Sequence, residues 1–183
     1  KILLFCAYQG TKNSGDTTRN AARTVAAALG CDYAEWEVDD LVEGYESTIE
    51  SVLKRQLNWQ TDDIARQNIQ ARVRAPGIWM MANIRNALLL ATSNRSEAAV
   101  GYATMDGDTS GGLSPIAGID KHYLREWLRF MESTGLPESP SIKELSQINV
   151  QNPTAELRPE DANQTDEDDL MPYQVLDTLE RAA

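Results

Sequence analysis

Several oxygen-bearing side chains follow a short apolar run at 88–91, and together they have the chemistry of a phosphate site. Thr92, Ser93 and Ser96 supply hydroxyl groups, and Glu97 supplies a carboxylate in the predicted first turn of a helix. Free backbone N–H groups at a helix start bind phosphate, and Mg²⁺ takes one or two protein carboxylates together with phosphate oxygens. These residues therefore favour a magnesium-assisted phosphate site.

Glu97 has a second interpretation that spacing alone does not separate from the first. Asn94 lies three residues earlier, which is the spacing of a capping box, in which Glu97 bonds the start of its own helix. Both interpretations of Glu97 stay open at this point. Lys121 begins another predicted helix, and on propensity alone it is a solvated first-turn lysine.

Two further stretches carry weaker signals for ligand binding. Asn68 and Arg72 are four residues apart on a predicted helix, so they share a face. Either both point at a ligand, or Arg72 makes a surface ion pair. The loop at 107–112 is rich in glycine but lacks the GxGxxG spacing of dinucleotide-binding folds and the GKS or GKT of a phosphate-binding loop. That loop is either part of a site or a flexible connection.

Other catalytic chemistries find little support. His122 is the only histidine and lies in an amphipathic helical pattern, which favours a surface or packing role over that of a catalytic base. Cys6 and Cys31 are each placed next to a predicted strand, as buried small hydrophobic residues commonly are. A zinc site needs about four nitrogen or sulfur ligands, and these three residues are too few and too widely spaced.

Charge and length set wider limits. The 183 residues carry a formal net charge of −11, and the acidic segment 151–183 holds nine acidic and two basic side chains. Nucleic-acid binding relies on Lys and Arg that neutralise phosphates, so no nucleic-acid partner is expected. No run of 18 apolar residues occurs, so no membrane span is expected either. Because the sequence opens at Lys1 on an apolar run, we expect it to be part of a longer polypeptide.

The elements that must position these residues alternate between strands and helices. Apolar runs predict strands at 1–7, 33–38 and 88–91. Helical spacing predicts helices at 16–29, 39–57, 62–87 with a break at Pro76, 120–132 with Asp120 as N-cap, 141–147 and 172–181. This order predicts an α/β fold with a parallel sheet, in which ligands bind beyond the carboxyl ends of the strands.

Four stretches together resemble the synthetase domain of NAD synthetases, most closely the glutamine-dependent branch. They are QNIQARVRA at 67–75, ATSNRSEAAVGYATMDGDTSGGLSPIAGIDK at 91–121, PTAELRP at 153–159 and QTDEDDLMPYQVLD at 164–177. Their order and approximate spacing are also those of the family. Met105 follows the Thr of the GY-x-T segment where the ammonia-only branch has lysine, which favours the glutamine-dependent branch.

The resemblance implies a doubly wound parallel sheet with flanking helices, like that of the adenine nucleotide alpha hydrolases. It implies amidation of deamido-NAD to NAD: ATP adenylates the nicotinate carboxylate, and ammonia then displaces AMP. Thr92, Lys121 and Thr154 match ATP-binding positions; Asn68, Arg72 and Glu97 match positions of the deamido-NAD site, and Glu97 also matches a Mg²⁺ ligand. The resemblance further implies a cytoplasmic homo-oligomer, supplied with ammonia by a glutaminase domain.

Two departures qualify this resemblance. The family motif SGGxDS, which grips pyrophosphate, does not occur in the 183 residues, and neither does any glutaminase domain. We therefore expect 1–183 to be an incomplete part of one synthetase domain and to be inactive alone. The alternative is a non-catalytic nucleotide-binding or assembly module with the same fold.

Overall fold

The computed structural model describes residues 3–159 and 165–182. The larger elements, in chain order, are β1 (Phe5–Gly10), α1 (Asp16–Ala28), β2 (Asp32–Glu37), α2 (Asp39–Leu53), α3 (Asp63–Arg72), α4 (Arg74–Arg85), α5 (Arg95–Val100) and α6 (Lys121–Ser133). The remaining elements are short except for the last: β3 (Gly135–Leu136), β4 (Ser139–Pro140), a 3₁₀ turn (Lys143–Leu145), α7 (Ser146–Asn149), α8 (Asp166–Asp169) and α9 (Tyr173–Ala182).

The strands β1 and β2 form a parallel pair, joined by α1. Their register pairs Phe5 with Asp32 and Gly10 with Glu37. A parallel pair needs a crossover connection, and the alanine-rich helix α1 provides it. The predicted α/β class with a parallel sheet is confirmed, although the first strand begins at Phe5 and extends to Gly10 beyond the predicted 1–7.

The predicted strand at 88–91 is wrong as a strand. Within the described residues this segment makes a single parallel bridge, between Leu90 and Leu113. Its backbone bonds go to the glycine-rich loop instead: Ala91 N–H donates to the carbonyl of Leu113, and Gly112 N–H donates to the carbonyl of Leu89. Leu88 is 63% exposed, so the run is not covered on both faces. An apolar run indicates an extended segment, but it does not show which other segment will form hydrogen bonds with its backbone.

The predicted long helix at 62–87 is two helices, broken at Val73 rather than at Pro76. Proline is tolerated in the first turn of a helix, where its missing N–H has no partner to lose. Pro76 is therefore accommodated as the third residue of α4. The residue at the break belongs to the core. Val73 packs with Val38 and Val42, and Trp36 and Ile69 lie against them.

Helix boundaries otherwise follow the sequence closely. The helix α2 ends at Leu53, four residues before its predicted end, because Lys54 takes a left-handed conformation with φ of 56°. The predicted helices at 120–132 and 172–181 are confirmed as α6 and α9, and 141–147 is a 3₁₀ turn followed by α7. Among the described residues, no helix is long and apolar enough to cross a membrane.

Candidate functional site

Thr92, which directly follows the segment 88–91, lies on the wall of a cavity of about 230 Å³. The cavity also takes residues from the end of β1, from α3 and α4, and from the glycine-rich loop: Gln9, Ala71, Arg74, Ala75, Ile78, Leu89, Leu90, Ala91, Gly107, Asp108 and Ser110. Thr92 is exposed at this wall. Its hydroxyl is therefore available to a bound molecule.

Arg74 provides the positive charge of this cavity. Burial lowers the pKa of its guanidinium from the usual value, although Asp108 and other acidic groups oppose that shift. Its Nε donates to the carbonyl of Gln9 at 3.0 Å, and Gln9 Nε2 donates back to the carbonyl of Arg74 at 3.0 Å. Among the described residues, no carboxylate forms an ion pair with Arg74. A half-buried cation without an ion-pair partner favours an anion nearby.

Asn68 and Arg72, on α3, both contact the segment before the glycine-rich loop. The Thr104 hydroxyl donates to Asn68 Oδ1 at 2.9 Å, and Arg72 Nε donates to the carbonyl of Met105 at 3.0 Å. The shared helix face expected from their spacing is confirmed. Arg72 bonds a backbone carbonyl in this structure, rather than making the surface ion pair that its type also allowed.

The glycine-rich loop at 107–112 is held against 88–93. Ser93 Oγ donates to the carbonyl of Asp108 at 3.1 Å, and the Asp108 carboxylate accepts from Thr104 N–H at 2.9 Å. Gly111 approaches the backbone so closely that a Cβ there would lie 2.5 Å from Ala91 N. The loop thus fixes the chain directly before Thr92 and is more than a connection.

Glu97 makes the capping box and also an ion pair, so one of its two interpretations is confirmed. Asn94 Oδ1 accepts from Glu97 N–H at 3.1 Å, and Glu97 Oε2 accepts from Asn94 N–H at 3.2 Å. The other carboxylate oxygen, Oε1, accepts from Lys121 Nζ at 2.9 Å. Both side chains of this pair are mostly buried, at 16% and 24% exposure. Lys121 is therefore not the solvated lysine that propensity favours.

Asp166 lies beside this ion pair, and sequence reasoning missed it because it belongs to an acidic run. It is buried, and its Oδ2 accepts from the Tyr173 hydroxyl at 2.9 Å. The Lys121 ammonium lies 5.7 Å from the centre of the Tyr173 ring. Burial raises the pKa of Asp166, against the effects of Tyr173 and Lys121. Its Oδ1 has no hydrogen-bond partner among the described residues.

Thr154 lies on the irregular segment 152–157, in which Glu156 has a φ of 49°. Its hydroxyl oxygen accepts from Glu156 N–H at 3.3 Å. Glu156 in turn accepts from the Thr18 hydroxyl at 2.6 Å and from Gly15 N–H at 3.3 Å. The structure thus places Thr154 near the start of α1, beyond the end of β1. Gln164, the first residue of the fourth matching stretch, lies outside the described residues.

Asp120, at the start of α6, contacts arginines of α5 and α9. Asp120 precedes α6 as predicted, but within the described part of the chain its carboxylate does not cap that helix. It pairs instead with Arg95, at 2.5 Å, and with Arg181. Asp120 lies close to Asp177 and Glu180, a grouping able to hold a metal. The two arginines offset most of the negative charge of that grouping by pairing with Asp120 and Glu180, which makes it a structural ion-pair cluster.

The cysteines and the histidine lie outside these groupings. Cys6 and Cys31 are free and half-buried, and burial raises the pKa of the Cys6 thiol. A raised pKa keeps a thiol protonated and unreactive. The contact of His122 with α9 is made by its backbone: the His122 N–H donates to Asp177 Oδ2 at 2.9 Å.

Residues 7–181 match the sequence profile of a family described as NAD synthase. The chain belongs to that family. It is 35% identical to the glutamine-dependent NAD(+) synthetase of Aquifex aeolicus over 172 residues, which cover 94% of this chain and 28% of the relative. The chain therefore spans about 28% of the length of that relative.

Solved structures agree with this membership. A glutamine-dependent NAD(+) synthetase from Cytophaga hutchinsonii is 48% identical with a TM-score of 0.78, over 96% of this chain and 26% of that one. The fold is thus the adenine nucleotide alpha hydrolase-like α/β fold of the NAD synthases, seen here in part. A glutamine-dependent NAD+ synthetase from Acinetobacter baumannii, solved with ADP, is 24% identical with a TM-score of 0.67, over 80% of this chain and 26% of that one.

Proposed function

We propose that the chain is part of the synthetase domain of an ATP-dependent ligase that converts deamido-NAD to NAD. In the first step a nicotinate carboxylate oxygen attacks the α-phosphorus of ATP, and pyrophosphate leaves. In the second step ammonia attacks the acyl carbon, and AMP leaves with the electrons of the broken bond. AMP is a far better leaving group than oxide, which is why the carboxylate is adenylated first.

The observation that carries this proposal is the half-buried Arg74 cation on the wall that also presents Thr92. A guanidinium and a hydroxyl together suit phosphate oxygens, and the wall lies beyond the carboxyl end of β1, where α/β sheets bind ligands. We propose that Thr92, Lys121 and Thr154 bind ATP. We propose in the same way that Asn68, Arg72 and Glu97 line the deamido-NAD site. The ADP bound by the Acinetobacter relative supports nucleotide use.

The size of the cavity limits what the chain binds by itself. At about 230 Å³ it is smaller than the roughly 300–1,000 Å³ of pockets that enclose whole small molecules. We therefore expect this chain to bind ATP weakly and to form no NAD unaided, since the SGGxDS motif that grips pyrophosphate is absent from the 183 residues.

Magnesium fits the groups around Glu97. Mg²⁺ prefers carboxylate oxygens and phosphate. Each Glu97 oxygen accepts one hydrogen bond, which leaves a lone pair free, and Asp166 nearby has a buried oxygen without a hydrogen-bond partner among the described residues. We propose that Glu97 holds Mg²⁺ when ATP is bound. The ion would offset the negative charge that gathers on the phosphates.

The remaining partners are also proposals. We propose that a glutaminase domain elsewhere in the protein supplies ammonia, and that the protein works in the cytoplasm, where ATP and dinucleotides are made. A homo-oligomer is supported by the apolar side chains that α4 exposes: Met80 is 63% and Ile84 71% exposed. Sedimentation of the purified chain over a concentration series tests that proposal directly.

Calorimetric titration of the chain with MgATP tests the proposed function. We expect weak, saturable binding that Lys121→Met reduces, because a phosphate contact is lost. Lys143→Met is the matched control, since Lys143 is exposed on the 3₁₀ turn away from the site. No binding, or equal losses in both variants, would contradict the proposal.

A second assay separates the two readings of the sequence. The chain is incubated with deamido-NAD, ATP and ammonia, and NAD is measured. NAD formation would show that our expectation of inactivity is wrong. If neither MgATP nor deamido-NAD binds, the alternative of a non-catalytic assembly module is favoured.

A further inference from the structure

We propose that Asp177 and Ser96 position Lys121, and thereby set how tightly ATP is held. This inference rests on the proposed function, because it needs Lys121 to contact ATP. Asp177 and Ser96 belong to different helices, α9 and α5, and they meet at the start of a third, α6. Below, the two residues are called the Ser96–Asp177 pair.

The pair is completely enclosed and closely bonded. Ser96 is 0% and Asp177 2% exposed. The Ser96 hydroxyl donates to Asp177 Oδ1 at 2.5 Å. A hydroxyl that donates to a carboxylate makes a short, charge-assisted hydrogen bond, roughly twice as strong as a neutral one. Burial and this bond together fix both side chains in one arrangement.

The pair then satisfies the start of α6. Ser96 Oγ accepts from Lys121 N–H at 2.9 Å, and Asp177 Oδ2 accepts from His122 N–H at 2.9 Å. The first N–H groups of a helix have no partner within it, and an N-cap side chain usually accepts from them. Asp120 stands at that position, but its carboxylate is taken by Arg95 and Arg181. The Ser96–Asp177 pair performs the capping instead.

The consequence for Lys121 follows from where these bonds fall. Lys121 is the first residue of α6, so the pair fixes its backbone directly. Ser96 also precedes Glu97, whose Oε1 accepts from Lys121 Nζ at 2.9 Å. The backbone N–H and the ammonium group of Lys121 thus both donate to residues in the same turn of α5. Asp177 accepts from the Ser96 hydroxyl and from His122 N–H, so it acts on Lys121 through the backbone of α6, which makes it a positioning residue.

A double-mutant cycle on the 183-residue chain tests this inference. MgATP affinity is measured by calorimetry for the unmodified chain, Asp177→Asn, Lys121→Met and the double variant. An amide has one accepting oxygen, so Asp177→Asn leaves either the Ser96 hydroxyl or the His122 N–H without its acceptor. We expect this substitution to weaken binding about tenfold, as losing one charge-assisted bond would. In the Lys121→Met background we expect it to have no further effect.

One control variant and two possible outcomes decide whether Asp177 acts through Lys121. Glu126→Gln changes an exposed carboxylate of α6 that pairs with Arg129, and we expect unchanged affinity. If Asp177→Asn weakens binding equally in both lysine backgrounds, Asp177 does not act through Lys121 and the inference is wrong. If affinity is unaffected by Asp177→Asn while Lys121→Met lowers it, the inference fails and the proposed function stands.

Amide hydrogen exchange tests the positioning of Lys121 separately from ATP binding, whose absence would overturn the proposed function and with it the effect on ATP affinity. We expect Asp177→Ala to speed exchange at the amides of Lys121 and His122, with little change at Leu128 in the middle of α6. Unchanged exchange at the first two amides would overturn the positioning role whatever the ATP result.

Discussion

Gly111 is a position where the structure leaves very little room for a side chain, and Gly111→Ala is our principal prediction. The added Cβ would lie 2.5 Å from Ala91 N and 2.9 Å from Ala91 Cβ, both well inside contact distance. Neither atom is the end of a flexible side chain, so the backbone of the loop or of the segment before Thr92 must move. Overpacking of this kind costs about 2 kcal/mol of the free energy of unfolding.

Gly112→Ala is the matched control, one residue away. Its Cβ would meet Leu88 Cδ1 at 2.9 Å, which is the end of a flexible and exposed side chain that can rotate away. Because alanine also restricts the unfolded chain, we expect Gly112→Ala to change stability by between zero and about 1 kcal/mol in the favourable direction.

Urea unfolding followed by tryptophan fluorescence measures both variants, and a thermal scan checks them. A loss of about 2 kcal/mol corresponds to a melting temperature lower by about 4–8 °C for a chain of this size. We expect Gly111→Ala also to weaken MgATP binding, because the displaced backbone carries Thr92. Equal stability of the two alanine variants would refute the argument that the loop is built on close approach.

Three further predictions concern stability. Asn94→Ala removes one half of the capping box and should lower the free energy of unfolding by about 1 kcal/mol, measured by urea titration; Asn94→Ser should restore most of it. Tyr173→Phe removes the hydroxyl that bonds buried Asp166 and should cost about 1–3 kcal/mol in the same assay; an unchanged free energy of unfolding would contradict this role of the hydroxyl. The Arg158 guanidinium lowers the pKa of Asp63, so this pair stabilises the fold above the unfolded pKa of about 3.9 and its contribution is lost as the pH falls through the lower folded value. The decline of stability from pH 5 downward should be shallower in Arg158→Gln, and an identical decline would contradict the assignment.

Local patterns predicted the local features well. The alanine-rich spacing of α1 and the apolar stripe of α6 identified those helices, since burying one face of a helix requires a period near 3.6 residues. The three-residue spacing of Asn94 and Glu97 gave a capping box as one of two interpretations, and the structure contains that capping box. In each case the interacting residues lie within one or two turns, where spacing alone determines geometry.

The spacing of residues along the sequence could not predict the long-range contacts. Glu97 and Lys121 are 24 residues apart and Ser96 and Asp177 are 81 apart, and no periodicity relates them. Lys121 was connected to a site only through the family resemblance. The run 88–91 failed for a related reason, because an extended backbone bonds whichever segment lies beside it, and here that segment is the glycine-rich loop. Asp166 escaped notice because acidic runs are usually solvated.

The attachment of α9 to the starts of α5 and α6 has a consequence for the order of folding during synthesis. Asp177 follows His122 by 55 residues, so the ribosome completes that distance in roughly 3 to 11 seconds at 5–20 residues per second. Throughout that interval the His122 N–H lacks its Asp177 acceptor, and the Ser96 hydroxyl lacks the carboxylate to which it donates. The capping of α6 is therefore completed only after α9 has been made, so a chain whose synthesis stalls before residue 177 would have its parallel strand pair but an incompletely capped α6.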